Sequence, residues 1–274
     1  MTRLTAKLAA IVWLFGVFLL LLGPVVVIGI GSLDDAAKAY VAIPPKHLGI
    51  AAYFNIKPHY WAALQTSVVL GVTAAAISSL IGIPAALGLV RGRVPGKSFI
   101  LAVLQAPLQI PALVIGVSLL ETYYAVGPAT GWYAQDSFVG LAIAHSFAVA
   151  PYVIGTLVSV LQRYDARIEE AARILGASPF GILWQVTLPL LRPGLFAGAL
   201  YAFATSFSEV PISVFLSGSH VKTFPVEVFT SLQFDFDPSI LAVSTIVTAI
   251  SLAVVFAMQR LLGLHTFLSI GAAE

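Results

Sequence analysis

Cysteine is missing from all 274 residues, which removes disulfides, thiolate nucleophiles and thiolate metal sites from consideration. Charge is scarce: Asp, Glu, Lys and Arg make up 9% of the chain, apolar residues make up 59%, and mean hydropathy is +0.98. That balance excludes an ordinary water-soluble globular protein and makes the bilayer the main solvent. Catalytic signatures are missing too. The stretch RGRVPGKSF contains Gly96, Lys97 and Ser98, but Arg91 stands where a phosphate-binding loop needs its first glycine. GASPFG, from Gly176 to Gly181, lacks the spacing of a nucleophile elbow. The five histidines show no H-E-x-x-H or other metal-ligand spacing. Neither a catalytic nor a metal site is expected, and no internal repeat or low-complexity tract stands out.

What the chain does have is long apolar runs. Leu8–Ile30, Ala62–Val90, Ser98–Leu120, Phe138–Leu161, Leu190–Leu216 and Ser239–Leu262 each exceed the roughly 20 residues a helix needs to cross the hydrocarbon. They predict an all-α integral membrane protein of six transmembrane helices, a single membrane domain over 1–274. The first run follows Arg3 and Lys7 but is too long for a signal peptide, so it reads as a retained anchor. In an alternating six-span topology Arg3, Lys7, Arg91, Arg93, Lys97, Arg163, Arg167, Arg173, Arg192 and Arg260 share one side, and Lys38, Lys46, Lys57 and Lys222 the other. Basic residues favour the cytoplasmic side, which predicts that both termini are inside. The opposite loops carry Asp34, Asp35, Glu121, Asp136, Glu227, Asp235 and Asp237, with Tyr53, Tyr60, Trp61, Trp132 and Tyr133 suited to an interfacial belt.

Between the fourth and fifth runs lies a polar segment, 163–189, with its own local order. Asp165 can cap a short helix whose Ile168, Ala171, Ala172 and Leu175 recur at three- and four-residue steps. Glu169 and Glu170 stand at the positive end of that helix. Gly176 can close it in a left-handed conformation. Ser178 and Pro179 then open a second helix through about Gln185, and Pro189 is expected to restrict Leu188 and separate this helix from the fifth span. Amphipathicity alone fits either a helix pair resting on lipid headgroups or one docking against another protein.

The spacing goes further. Glu170, Ala171 and Ala172, then Gly176, then Val186, Leu188 and Pro189 resemble the EAA motif of permease subunits in binding-protein-dependent ABC importers, with Val186 in place of Ile. The anchor helix, WAALQTSVVLGVTAAAISSLIGIPAALGLVRGR, SFSEVPISVFLSG and TFPVEVFTSLQFDFDPSILAVST extend the similarity to the spermidine/putrescine permease group, particularly its C-type subunits. The resemblance implies a type I importer permease with the MetI-like fold, in the bacterial cytoplasmic membrane, whose segment 163–189 forms coupling helices against an ATPase subunit. It implies a pair of ATPase subunits carrying ATP and Mg, a second and different permease chain, and an extracytoplasmic solute-binding protein. Lipid surrounds such a chain, no cofactor is expected within it, and nothing points to nucleic acid. Similar sequences serve polyamines such as putrescine or spermidine, but also aminoethylphosphonate, ferric ion and other small solutes. An ion-coupled secondary transporter is the alternative of another class.

Ionisable groups inside the hydrocarbon are costly and usually face a cavity or bundle interior. Glu209, beside Ser206, Ser208 and Pro211, is the clearest pathway candidate, the alternative being a pair with a neighbouring subunit. For a polyamine cargo, Glu209 with Phe207 and Tyr201 offers a carboxylate and ring faces to an ammonium. Gln105 and Gln109 are spaced one helical turn apart in a third span expected to kink at Pro107 and Pro111, and they fit either pathway or helix packing. His145 reads as a hydrogen-bonded packing residue, and Gly194 with Gly198 as a close helix contact.

Overall fold

The computed structural model describes residues 3–34, 44–234 and 236–262. Asp35, Lys38 and Asp235 lie outside them. Apart from one isolated antiparallel bridge between Asp34 and Leu48, the described residues form helices and their connections. In chain order these are α1 (Arg3–Gly31), α2 (Ala51–Phe54), α3 (Pro58–Val90), α4 (Lys97–Gln105), a 3₁₀ turn at Ala106–Leu108, α5 (Ala112–Thr130), α6 (Phe138–Arg163), α7 (Arg167–Ile174), α8 (Pro179–Ile182), a π turn at Leu183–Thr187, α9 (Leu188–Phe207), α10 (Pro211–Leu216), α11 (Phe224–Phe234) and α12 (Ser239–Leu262). Among the described residues, five helices are long and apolar enough to span a bilayer: Lys7–Gly31, Pro58–Val90, Ala112–Thr130, Phe138–Arg163 and Pro179–Phe207. The sixth predicted run corresponds to α12, which is apolar over Ser239–Ala253.

Two predicted spans are not single helices. The third divides into α4 and α5, because Pro107 and Pro111 each lack an amide hydrogen and force the chain through a 3₁₀ turn and an extended residue, with Pro111 at ψ 130°. The fifth breaks after Phe207 and restarts at Pro211, which occupies the first turn of α10 where a missing N–H costs nothing. A third expectation fails in the opposite sense. Pro189 does not separate the second elbow helix from the fifth span: Leu188 is helical at φ −64°, ψ −42°, and Pro179–Phe207 runs on as one helical rod through the π turn. The wider π turn accommodates a ring that would otherwise meet the carbonyl one α-turn back.

The residues group into two compact units. In the one drawn from 1–60 and 228–274, α12 packs on α1 and α2. Ser32 Oγ and Tyr53 OH lie 2.6 Å apart, the Asp34 carboxylate accepts from the amides of Lys46 and His47, and Lys57 pairs with Asp237 at 2.6 Å. Tyr60, expected in the aromatic belt, is instead buried and donates to Ser231, while Trp61, Trp132 and Tyr133 are exposed as the belt requires.

In the unit Trp61–Glu227, α6 is the central element. One core joins Val153, Leu157 and Leu161 of α6 to Ala74 and Ala86 of α3 and to Leu191 and Ala202 of α9. Another gathers Leu141 and Ala144 around Ile115 and Tyr123 of α5 and Ile212 and Leu216 of α10. The α6–α9 contact uses the predicted glycines: a Cβ on Gly194 would lie 2.6 Å from Val160 Cγ2, and one on Gly198 3.2 Å from the Val153 Cα. Within lipid such close approach, more than apolar burial, holds helices together.

Candidate functional site

The elbow between α6 and α9 is built as its sequence implies. Asp165 Oδ1 accepts from the Arg167 amide at 2.9 Å and starts α7. Gly176 sits at φ +88°, its N–H donates to Arg173 O, and the Ala177 N–H donates to Ala172 O, which closes α7 in a Schellman turn. Ser178 Oγ accepts from Gly181 N at 3.1 Å with Pro179 in the first turn of α8. Glu170, Ala171 and Gly176 are exposed and Ala172 is half-buried. Of the predicted apolar stripe, Ile168 and Leu175 are exposed, Leu175 to 87%; Ile174 beside it is 86% exposed, and Phe180 and Trp184 stand beside each other, exposed, on the next helical segment. Leu188 and Pro189 are half-buried within the rod that continues into α9.

Three residues that the motif reading passes over fasten this elbow to the spans. Arg91, just beyond α3, donates from a terminal guanidinium nitrogen to Tyr164 O, past the end of α6, at 3.1 Å. Its Nε lies 3.2 Å from Glu169 Oε2, close enough for an ion pair though out of line for a hydrogen bond. Thr187, the last residue of the π turn, donates from Oγ1 to Glu169 Oε1 at 3.1 Å. The basic turn after α3 and the elbow therefore share one end of α6, as the charge distribution implies.

The pathway candidates fall among different neighbours. Glu209 is the anchor of the helix break: its carboxylate accepts from the amides of Ile212 and Ser213, at 2.7 and 2.9 Å, and from Ser213 Oγ, at 2.9 Å. Only 8% of its side chain is exposed. His145, fully buried, bridges the break, with Nδ1 2.8 Å from Ser206 Oγ and Nε2 2.9 Å from Ser213 Oγ. Glu209 Oε2 lies 4.0 Å from His145 Nε2. Tyr201 is exposed and meets Tyr152 edge-on at 4.7 Å, and Phe207 stacks on Phe203 at 5.9 Å. No hydrogen bond, ion pair or ring contact joins Glu209 to either aromatic. Gln105 ends α4 near Gly155 of α6, half-buried, and Gln109 is exposed beyond the 3₁₀ turn. The continuous helix that would place both amides on one face does not exist. Beside Phe203, an open apolar groove of about 320 Å³ runs between Ala75 and Ala76 of α3 and Phe196 and Ala199 of α9.

At the other end of α6, Asp136 organises the turn after α10. Its carboxylate accepts from the amides of Ser219, His220 and Val221, and His220 Nδ1 lies 2.8 Å away. Burial alone raises this carboxyl, but the His220 hydrogen bond and the Val221 and His220 amides outweigh it and hold it well below its usual range.

These features define a class: a membrane-spanning helical chain with broken spans and a capped paired-helix elbow between two of them. The chain belongs to the family described as binding-protein-dependent transport system inner membrane component, which it matches over residues 78–266. It is 34% identical over 186 residues to the putrescine transport system permease protein PotI of Escherichia coli K12, covering 68% of this chain and 66% of that one. It is 32% identical over 197 residues to the spermidine/putrescine transport system permease protein PotC of the same organism, covering 72% of each. A sulfate transport system permease protein, CysW of Synechocystis, is 33% identical over 64% of this chain and 66% of its own length. Among solved structures, a bacterial ABC transporter involved in import of the acidic polysaccharide alginate superposes with TM-score 0.70 over 94% of this chain and 98% of the matched chain at 19% identity. The type I ABC importer permease fold is thereby shared. The chain spans about two thirds of the length of the PotI relative.

Proposed function

We propose that this chain is the transmembrane permease subunit of an ATP-driven ABC importer that takes a polyamine such as putrescine or spermidine from an extracytoplasmic binding protein into the cytoplasm. The observation that carries the reading is the elbow: two capped short helices, closed at Gly176 and presenting Ile174, Leu175, Phe180 and Trp184 uncovered. Such a surface suits docking into a cleft of an ATPase subunit, with Ala171, Ala172 and Gly176 allowing close approach and Glu170 free to meet a cation there. The relatives of 32–34% identity named for putrescine and spermidine favour the polyamine.

In this mechanism a loaded binding protein docks on the outer loops, including Ser217–Pro238 and the segment after α1. ATP and Mg, held by a pair of ATPase subunits, close that pair, and the elbow passes the closure through Leu188 and Pro189 into α9. The second permease chain is a different polypeptide, and the pathway opens alternately outward and inward between them. Glu209 acts on a dicationic cargo through its negative charge while its oxygens stay bonded to α10, and Tyr201, Phe207, Gln105 and Gln109 line a low-affinity route. Both termini face the cytoplasm of a bacterial cell, across its inner membrane.

Reconstitution with the ATPase subunits and binding protein in proteoliposomes tests this reading. Putrescine uptake is expected to persist after proton and sodium gradients are collapsed and to stop when ATP is withdrawn. Uptake that follows either gradient without ATP assigns the chain to secondary transport instead.

A further inference from the structure

Two adjacent glutamates begin the elbow, and the structure separates them. Glu170 is exposed, whereas Glu169 turns toward the spans and is only 18% exposed in its side chain. Its two carboxylate oxygens serve two different elements: Oε2 lies against Arg91, which follows α3, and Oε1 accepts from Thr187 in the π turn. Arg91 in turn donates to Tyr164 O, at the end of α6. One ion pair and two hydrogen bonds thus join the ends of three long helices to α7.

Thr187 is informative by contrast. Thr66, Thr73, Ser79, Thr122 and Thr156 all turn their hydroxyls back to the carbonyl four residues earlier in their own helix, the default for such side chains within apolar helices. Thr187 is buried, and its hydroxyl instead leaves the helix for Glu169. The π turn it terminates is a rare feature, frequent at functional sites. Meanwhile α7 has eight residues, too few to hold a helix in isolation, so what fixes its direction must come from outside it.

We propose that Arg91, Glu169 and Thr187 form a clamp that makes the elbow move as one body with α3, α6 and α9, and that these are positioning residues for coupling outside the Glu-Ala-Ala signature. The proposal rests on the importer reading for its consequence and on geometry for its existence. Without the clamp, a push on α7 reaches the spans only through its short chain links to the end of α6 and to the rod that begins at Pro179, and the end of α3 is free to lag. With it, three helices receive the displacement together.

The test uses the complete importer in proteoliposomes and two readouts. In the first, Glu169→Gln is expected to leave assembly and ATP hydrolysis within about twofold of wild type and to lower putrescine transported per ATP by about fivefold or more, a coupling loss of ordinary size. The exchanged pair Arg91→Glu with Glu169→Arg is expected to recover part of that ratio. In the second, amide hydrogen exchange over 167–175 is expected to rise by about tenfold in Glu169→Gln and Thr187→Val, reporting lost local stability. An unchanged transport ratio in Glu169→Gln when the wild-type complex does import, or unchanged exchange in both variants, overturns the clamp. If the wild-type complex imports no putrescine, the polyamine reading fails while the exchange measurement still decides the clamp.

Discussion

At Asp136 the backbone adopts φ +51°, a left-handed conformation uncommon outside glycine, and the carboxylate it presents is filled by three successive amides. The strain is offset by charge-assisted hydrogen bonds, and the pH dependence follows from the same contacts. A depressed carboxyl contributes stability above its unfolded value and loses it as pH falls through its folded value. Because Asp136 lies well below the usual 3.8, the turn at Ser219–Val221 is expected to stay protected at about pH 4, where an ordinary carboxylate is already half protonated. Amide exchange at those three residues, corrected for intrinsic rate, checks this: equal protection near pH 6 and pH 4 in wild type, and loss at both in Asp136→Asn. Gly218 belongs to the same arrangement, since a Cβ there would collide with the Asp136 carboxyl group; Gly218→Ala should reproduce the Asp136→Asn exchange pattern. Gly140 is tighter still. Its Cβ would overlap the Ala134 carbonyl oxygen, which is backbone and cannot step aside, and its own carbonyl receives the Tyr123 hydroxyl at 2.8 Å. Gly140→Ala is expected to destabilise the folded chain by about 1–3 kcal/mol, the range of overpacked sites, read as a lower melting temperature in detergent.

The elbow makes a comparison of two substitutions at one glycine useful. At φ +88° any other residue pays the left-handed penalty, about 1–2 kcal/mol, yet nothing lies within 4 Å of an added Cβ at Gly176. Within this chain, therefore, Gly176→Ala and Gly176→Asp share a similar backbone strain and their Cβ atoms meet no steric obstacle. A large excess defect in Gly176→Asp then points to a surface outside this chain, as docking requires. The expected result is a modest loss of binding-protein-stimulated ATP hydrolysis for Gly176→Ala and near-complete loss for Gly176→Asp, with stable complex recovered for the alanine form. Equal activities in the two variants would falsify the docking role of this turn. The rod from Pro179 to Phe207 suits that role, because Pro189 interrupts no segment of it and the π turn places Thr187 where Glu169 can reach it.

Across the whole molecule, what the sequence made legible was whatever depends on short spacing. The Schellman glycine, the Ser178 cap, the Gly194 and Gly198 contact and the paired-helix elbow all rest on residues within a few turns of one another. The breaks at Pro107 and Pro211 were visible as prolines but not as interruptions, since hydropathy alone does not say whether a neighbouring helix will re-satisfy the freed backbone groups. Nothing in the stretch around Glu209 reveals that its carboxylate also holds the start of α10 beside His145, 64 positions earlier. The Arg91–Glu169 clamp was hidden for the same reason, spanning the whole of α5 and α6 in sequence. Orientation is the remaining large-scale expectation, and the lack of cysteine makes it directly measurable. α6, with 26 residues, is about 39 Å long at 1.5 Å per residue, enough to carry its two ends to opposite faces of a bilayer. The turn containing Arg93 lies at the elbow end and the loop containing Tyr133 at the other. Single substitutions Arg93→Cys and Tyr133→Cys place one thiol at each end of a chain that otherwise has none. In intact spheroplasts an impermeant maleimide is expected to label Tyr133→Cys and to spare Arg93→Cys until the membrane is opened. The reverse pattern would invert the chain, put the exposed Ile174 and Leu175 on the outer face, and remove any route by which a cytoplasmic ATPase could reach the elbow.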